Sequence, residues 1–256
     1  MTSTMQDKFK KIALTAGSTL LWILLWHIAA SIANKNLLFK IPLPLDTLNE
    51  FVICVRTVSF WNSVGNSLWH IVSGFVLAVI LGLVCGMLSG NSPVFKTFTA
   101  PVSRLIRSVP VAAFIILAWL WIPSTVIPSF IAFLMVFPIV WLQVETALSG
   151  IDNKLIEMAK VMRMSGRGII KNIKMPYVLP ALRTSCITGL GFAWKSGVAA
   201  EVICNPTGSI GAMLSNAKSN LEYARVFAIV LTIIVLSLIL ENIIKFFWRE
   251  YRYDKI

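Results

Sequence analysis

Apolar runs of about 20 residues recur along this chain, the length a helix needs to cross about 30 Å of hydrocarbon at 1.5 Å per residue. They fall near residues 12–33, 66–89, 128–145, 177–203 and 226–247, with a shorter stretch at 111–122. A soluble core has no use for so many: 57% of the 256 residues are apolar and only 13% charged, where soluble domains carry roughly a quarter. The chain is therefore expected to live in a bilayer as one transmembrane domain, residues 1–256, with no separate globular core.

The third run is too short to cross alone. Extending it back to Pro101 supplies the length and puts Arg104 and Arg107 three apart on one face, where long basic side chains reach an interface. Pro110 within it predicts a kink or a re-entrant start. A short turn at 123–128 leads to the fourth run. The expected fold is thus all-α with six transmembrane helices, and an even number puts both termini on one side.

Charge sets the side. Lys and Arg in the two tails, in the segment after span two and between spans four and five number sixteen, against five in the opposite loops, while Arg183 and Lys195 fall within span five. The positive-inside bias assigns the richer side, with the N- and C-termini, to the cytoplasm. The net charge of +12 is thereby explained as topology signal, and no nucleic-acid partner is expected. Cys54, Cys85, Cys186 and Cys204 show neither CxxC spacing nor a metal pattern with the two histidines. They read as small membrane thiols, although a Cys54–Cys204 disulfide is conceivable. His27 and His70 read as structural residues. No cleavage site of small residues follows the first run, so it is not read as a signal peptide.

One cytoplasmic segment, residues 149–176, has its own helical pattern. Ile151, Leu155, Met158 and Met162 recur at helical spacing with Lys154, Glu157 and Lys160 off the stripe, Ser165 and Gly166 break the pattern, and a second short helix carries Ile169, Ile170 and Ile173 until Pro176 ends it. A helix–turn–helix with apolar knobs and basic flanks suits two occupations: lying on an anionic lipid surface, or docking into a partner's groove.

Glu157-Met158-Ala159 followed by Ile173-Lys174-Met175-Pro176 resembles the EAA loop of binding-protein-dependent ABC transporter permeases, the type I importers. That pattern is Glu-Ala-Ala, three residues, Gly, nine residues, Ile, any residue, Leu, Pro. Glu157, Ala159, Ile173 and Pro176 match in register, Met158 and Met175 are apolar replacements, and Arg163 stands in place of the turn glycine. An arginine tolerates positive φ poorly, so Gly166 is expected to supply the flexible position. Arg107-Ser108-Val109-Pro110, Gly191-Phe192-Ala193-Trp194 and Ala200-Glu201-Val202 fit as well, over about residues 60–250, and the details look most like the nitrate, sulfonate and taurine branch.

The resemblance implies a non-catalytic transport subunit of a bacterial plasma membrane importer, moving a small polar, anionic solute. Its implied partners are two cytoplasmic ATP-binding subunits, an extracytoplasmic solute-binding protein, a second permease copy and membrane lipid. No cofactor is expected on the chain, ATP being bound by the partner. The implied ATPase-coupling residues are Glu157, Ala159, Arg163, Gly166, Ile173 and Pro176.

Ionisable residues inside spans suggest a pathway. Lys195 lies about 26 Å along span five from its cytoplasmic start, where it either lines an anion's path or snorkels outward. Glu201, about 120° around the helix from Lys195, is expected at the outer rim. Gly189, Gly191, Gly197, Ala193 and Ala199 give span five a small-residue face for helix packing. Seven tryptophans, among them Trp141, are read mostly as interfacial belts. A membrane enzyme lacks a catalytic cluster here. A secondary transporter is the stronger alternative, but repeated halves and coupling carboxylates are missing. An importer of a pyrimidine-type vitamin precursor also remains open.

Overall fold

A computed structural model describes residues 5–35 and 40–248, all in helices, turns and short links with no strand among them. Arg249, Arg252 and Lys255 lie outside the described residues, as do the side chains of Lys8 and Lys11. The helices are α1 (Met5–Ala33), α2 (Pro44–Val55), α3 (Val58–Asn91), α4 (Pro93–Ser108), α5 (Val111–Trp119), α6 (Ile127–Ser149), α7 (Asn153–Val161), α8 (Gly166–Ile169), a π-helical turn Ile170–Lys174, α9 (Met175–Cys204), α10 (Ile210–Ser219) and α11 (Tyr223–Phe247). Four are long and apolar enough to cross a membrane: α1 from Ala13, α3, α6 and α11, with α4 and α5 together making a fifth, broken candidate. The small, hydroxyl-bearing and charged residues of α9 dilute its hydropathy, yet its 30 residues span about 45 Å.

The chain divides into two compact units, Met1–Phe60 with Leu214–Thr232, and Trp61–Met213 with Ile233–Ile256. In the first, α1 and α2 pack together. Trp26 stacks on Phe227 with ring centroids 5.8 Å apart. The Asn34 side-chain amide, just past α1, donates to the Ile41 carbonyl at 2.9 Å and accepts from its N–H at 3.0 Å, three residues before α2. Leu14, Leu20 and Trp22 are exposed, as suits a helix immersed in lipid.

The second unit is built on α3, α6 and α9. Gly82, Gly86 and Gly90 recur every fourth residue on α3, so they fall on one face. A Cβ added to them would lie 2.8 Å from Val140 Cβ, 2.6 Å from Val144 Cβ and 2.7 Å from Leu148 Cβ, a matching four-residue row on α6. Backbones this close have no room for a methyl, the small-residue packing that joins helices in a membrane. Gly189 of α9 meets Val136 and Gly197 meets Ile71 in the same way, so the small residues of span five serve core packing. Trp194 is buried and donates its indole N–H to the Ile233 carbonyl at 3.0 Å. Trp141 departs from the belt expectation: it is buried, and its indole N–H donates to Ser89 Oγ at 2.7 Å. A tryptophan inside the bundle is stable once its N–H has a partner.

The third expected span is not one helix. α4 and α5 are bent 99° at the Ser108–Pro110 link. Pro110 offers no N–H, and the residue before a proline is pushed out of the helical region. Val109 accordingly sits at φ −89°, ψ 132°. The nine residues of α5 reach only about 14 Å, and they join Ile127, Ile131, Ala200 and Cys204 through Ile115 in a buried apolar cluster.

The glycine row yields a paired expectation. Gly86→Ala should lower the thermal midpoint of the purified protein, since overpacking costs about 1–3 kcal/mol. Gly65 is helical with nothing within 4 Å of an added Cβ, so Gly65→Ala should leave the midpoint unchanged or raise it, by up to about 1 kcal/mol of helix propensity.

Candidate functional site

The expected coupling segment begins where α6 stops at Gly150. Ile151 is buried and turns the chain, and Asp152 caps α7, its carboxylate accepting from the Lys154 N–H at 2.9 Å. On α7, Ala159 is buried at 1% exposure, whereas Met158, Val161 and Met162 are 54%, 83% and 69% exposed. Leu155 is partly exposed and Glu157 exposed. The expected stripe therefore divides: Ile151 anchors the segment, and Leu155, Met158 and Met162 face outward as apolar knobs.

The turn after α7 is made by Arg163 itself. Its φ is +54°. The Arg163 N–H donates to the Lys160 carbonyl and the Met164 N–H to the Ala159 carbonyl, both at 2.9 Å. This is a Schellman ending, with Arg163 at the left-handed position that glycine usually holds. Gly166 does not supply the flexible position, contrary to the sequence expectation. It starts α8 under the Ser165 cap, whose Oγ accepts from the Gly168 N–H at 3.2 Å.

Pro176 does not end the second helix either. The helical path continues from Gly166 through the π-turn into α9, with Pro176 in the first turn of α9. Proline removes the N–H that would bond Asn172. The chain is π-helical just before it, and the Met175 N–H bonds back five residues to Ile170. Ile173 and Pro176 are half-buried. Lys174 Nζ donates to Asn91 Oδ1, which ties this end of α9 to the end of α3.

The two pathway candidates occupy different settings. Lys195 is exposed on α9. Glu201, three residues before the end of α9, is fully buried at 0% exposure. One carboxylate oxygen accepts from Ser67 Oγ at 2.8 Å and from the Gly211 N–H at 3.0 Å, and Ser67 Oγ in turn accepts from the Ile210 N–H at 2.9 Å. Those N–H groups open α10, so Glu201 and Ser67 together cap that helix from α9 and α3. Asn205 at φ +51° ends α9, and Asn66 Nδ2 donates to the Gly208 carbonyl at 3.0 Å. Asn66, Ser67 and Gly211 were not singled out from sequence. The Asn-Pro-Thr-Gly-Ser turn at 205–209 was the available signal that a buried acid shortly before it has a helix start to cap.

The cost of Arg163 is testable. A left-handed non-glycine residue is strained by about 1–2 kcal/mol. Arg163→Gly should raise the thermal midpoint of the purified protein, and Arg163→Ala, which keeps a Cβ, should not. A lower midpoint for the glycine variant would contradict the assigned turn.

Comparison with known proteins fits this architecture. The family described as binding-protein-dependent transport system inner membrane component matches residues 74–253. The taurine transport system permease protein of Escherichia coli is 24% identical over 91% of this chain and 86% of its own length. The nitrate import permease protein of Synechocystis is 22% identical over 92% of this chain and 88% of its own length. In fold, the chain is similar to one from a bacterial alginate ABC transporter solved with its alginate-bound periplasmic protein, at TM-score 0.63 and 11% identity over 99% of this chain and all of that one. The chain therefore belongs to the binding-protein-dependent transport system inner membrane components, as a multi-pass ABC permease of the inner membrane.

Proposed function

We propose that this permease is the membrane-spanning half of an ATP-driven importer for a small anionic solute of the sulfonate, taurine or nitrate kind, delivered by an extracytoplasmic binding protein. It works as two permease copies with two cytoplasmic ATP-hydrolysing subunits, and itself binds no cofactor. Six spans carry it: α1, α3, the bent α4–α5 pair, α6, α9 and α11. Residues 149–176 and both termini face the cytoplasm, in keeping with the basic residues concentrated there.

The single observation that supports the coupling role most is the shape of α7. Met158, Val161 and Met162 stand exposed on a short helix whose neighbour Ala159 is buried and whose ends are both capped. A rigid helix with apolar knobs suits a groove in a partner. The continuous helical path from Gly166 into α9 gives a lever: a push on α7 passes through the Arg163 turn to α9, which packs on α6. ATP-driven closure of the partner subunits thus rocks the core helices between inward-open and outward-open states. Lys195, exposed on α9, is a cation that an anionic solute can meet.

Glu157→Lys separates docking from lipid attachment. The added positive charge strengthens attachment to an anionic membrane, but at a protein interface it reverses a contact charge, at a cost on the order of several kcal/mol. The expected result is loss of uptake and of the co-purifying ATPase, with the permease still inserted. Normal transport with the ATPase retained would overturn the coupling role.

A further inference from the structure

A cleft of about 180 Å³ lies between α4 and α6, lined by Lys96, Ser103, Arg104 and Arg107 of the first and Trp141 and Glu145 of the second. Its charges do not balance. Lys96 Nζ is 3.0 Å from Glu145 Oε1, so the single carboxylate of the lining is neutralised by one of three cations. Arg104 and Arg107 remain, one helical turn apart on the same face of α4. The Arg107 Nε–H donates to the Ser103 carbonyl at 3.1 Å. That bond orients the guanidinium and leaves its terminal NH2 groups for another acceptor. The α6 wall is firm, because Trp141 is buried and held by its bond to Ser89.

Two forked cations in a preformed cleft recognise an oxyanion, since guanidinium donors match the paired oxygens of sulfate, sulfonate or phosphate. We infer that this cleft is an oxyanion-binding site distinct from the Lys195 position, and that its occupant links the bent helix α4 to α6. Its place in the fold adds meaning. α4 is capped by Ser92, directly after Asn91, which accepts from Lys174 of the π-turn. Glu145 lies four residues before the end of α6, just ahead of α7. The site thus sits beside the coupling segment, at the end of the unit where a transported anion would leave and where a phospholipid headgroup would also lie. Both sources share the same chemistry.

The test uses the full-length permease, purified with whatever subunits accompany it, in nanodiscs of phosphatidylcholine. Sodium sulfate, compared with sodium chloride at equal ionic strength, should raise the thermal midpoint saturably. The double variant Arg104→Gln with Arg107→Gln should need about tenfold more sulfate, as expected when charge-assisted contacts are lost. Discs of phosphatidylglycerol identify the source. If the headgroup fills the cleft, those discs raise the wild-type midpoint without sulfate, sulfate adds nothing further, and the double variant gains from neither. If the occupant is a free anion, the sulfate response persists in both lipids. Arg104 is exposed, so Arg104→Gln alone provides the comparison should the double variant fail to insert. Equal responses of wild type and variant in both arms would overturn the site.

Discussion

Backbone contact between α3 and α6 is the constraint on which the rest of the second unit depends. Gly82, Gly86 and Gly90 remove three side chains in a row, and Val140, Val144 and Leu148 fill the space. In a bilayer the hydrophobic effect gives helices little reason to associate, so dispersion across so close a seam has to supply the cohesion. With α3 and α6 joined, Gly189 and Gly197 bring α9 against both. Asn66 and Ser67 on α3 are then in reach of the α9–α10 turn, where Glu201 caps α10. Asn91 at the opposite end of α3 is in reach of Lys174. One helix thus fixes both ends of α9, the helix into which α8 and the π-turn lead.

Rigidity and motion are distributed accordingly. The buried carboxylate network and the glycine seam hold the core helices as a body. The departures from regular helix, at the Val109–Pro110 break, the Arg163 turn and the π-turn before Pro176, lie at the joints between that body and its attachments. Each has a local chemical cause in a proline or a left-handed residue, so the joints are written into the chain rather than imposed by packing. Of the three, Arg163 alone holds a strained left-handed φ, which persists because the surrounding bonds hold it.

Much of the fold was legible in the sequence, because membrane spans announce themselves by length, and the helix, turn and second helix within 149–176 by their spaced apolar residues and the break at Ser165 and Gly166. The Pro110 break was also legible, since proline acts on its own neighbours. What eluded sequence reasoning depended on long-range partners. Glu201 had no visible partner, because it stands about 120° around the helix from Lys195. Its partners are Ser67, 134 residues earlier, and Gly211, across a turn. Trp141 resembled a belt residue until Ser89 supplied its acceptor. Arg163 was expected to yield its role to Gly166 because intrinsic preference disfavours arginine at positive φ. The two Schellman bonds outweigh that preference.

The central claim, that the exposed knobs of α7 seat in an ATP-hydrolysing subunit, is tested most directly by site-specific photocrosslinking. A benzophenone side chain at Met158, in the permease assembled in native membranes, places a reactive group on the outward face of α7. The account predicts a crosslink to a nucleotide-binding subunit whose yield changes when ATP is added. Crosslinks to lipid alone, with none to a protein partner in any nucleotide state, would contradict it.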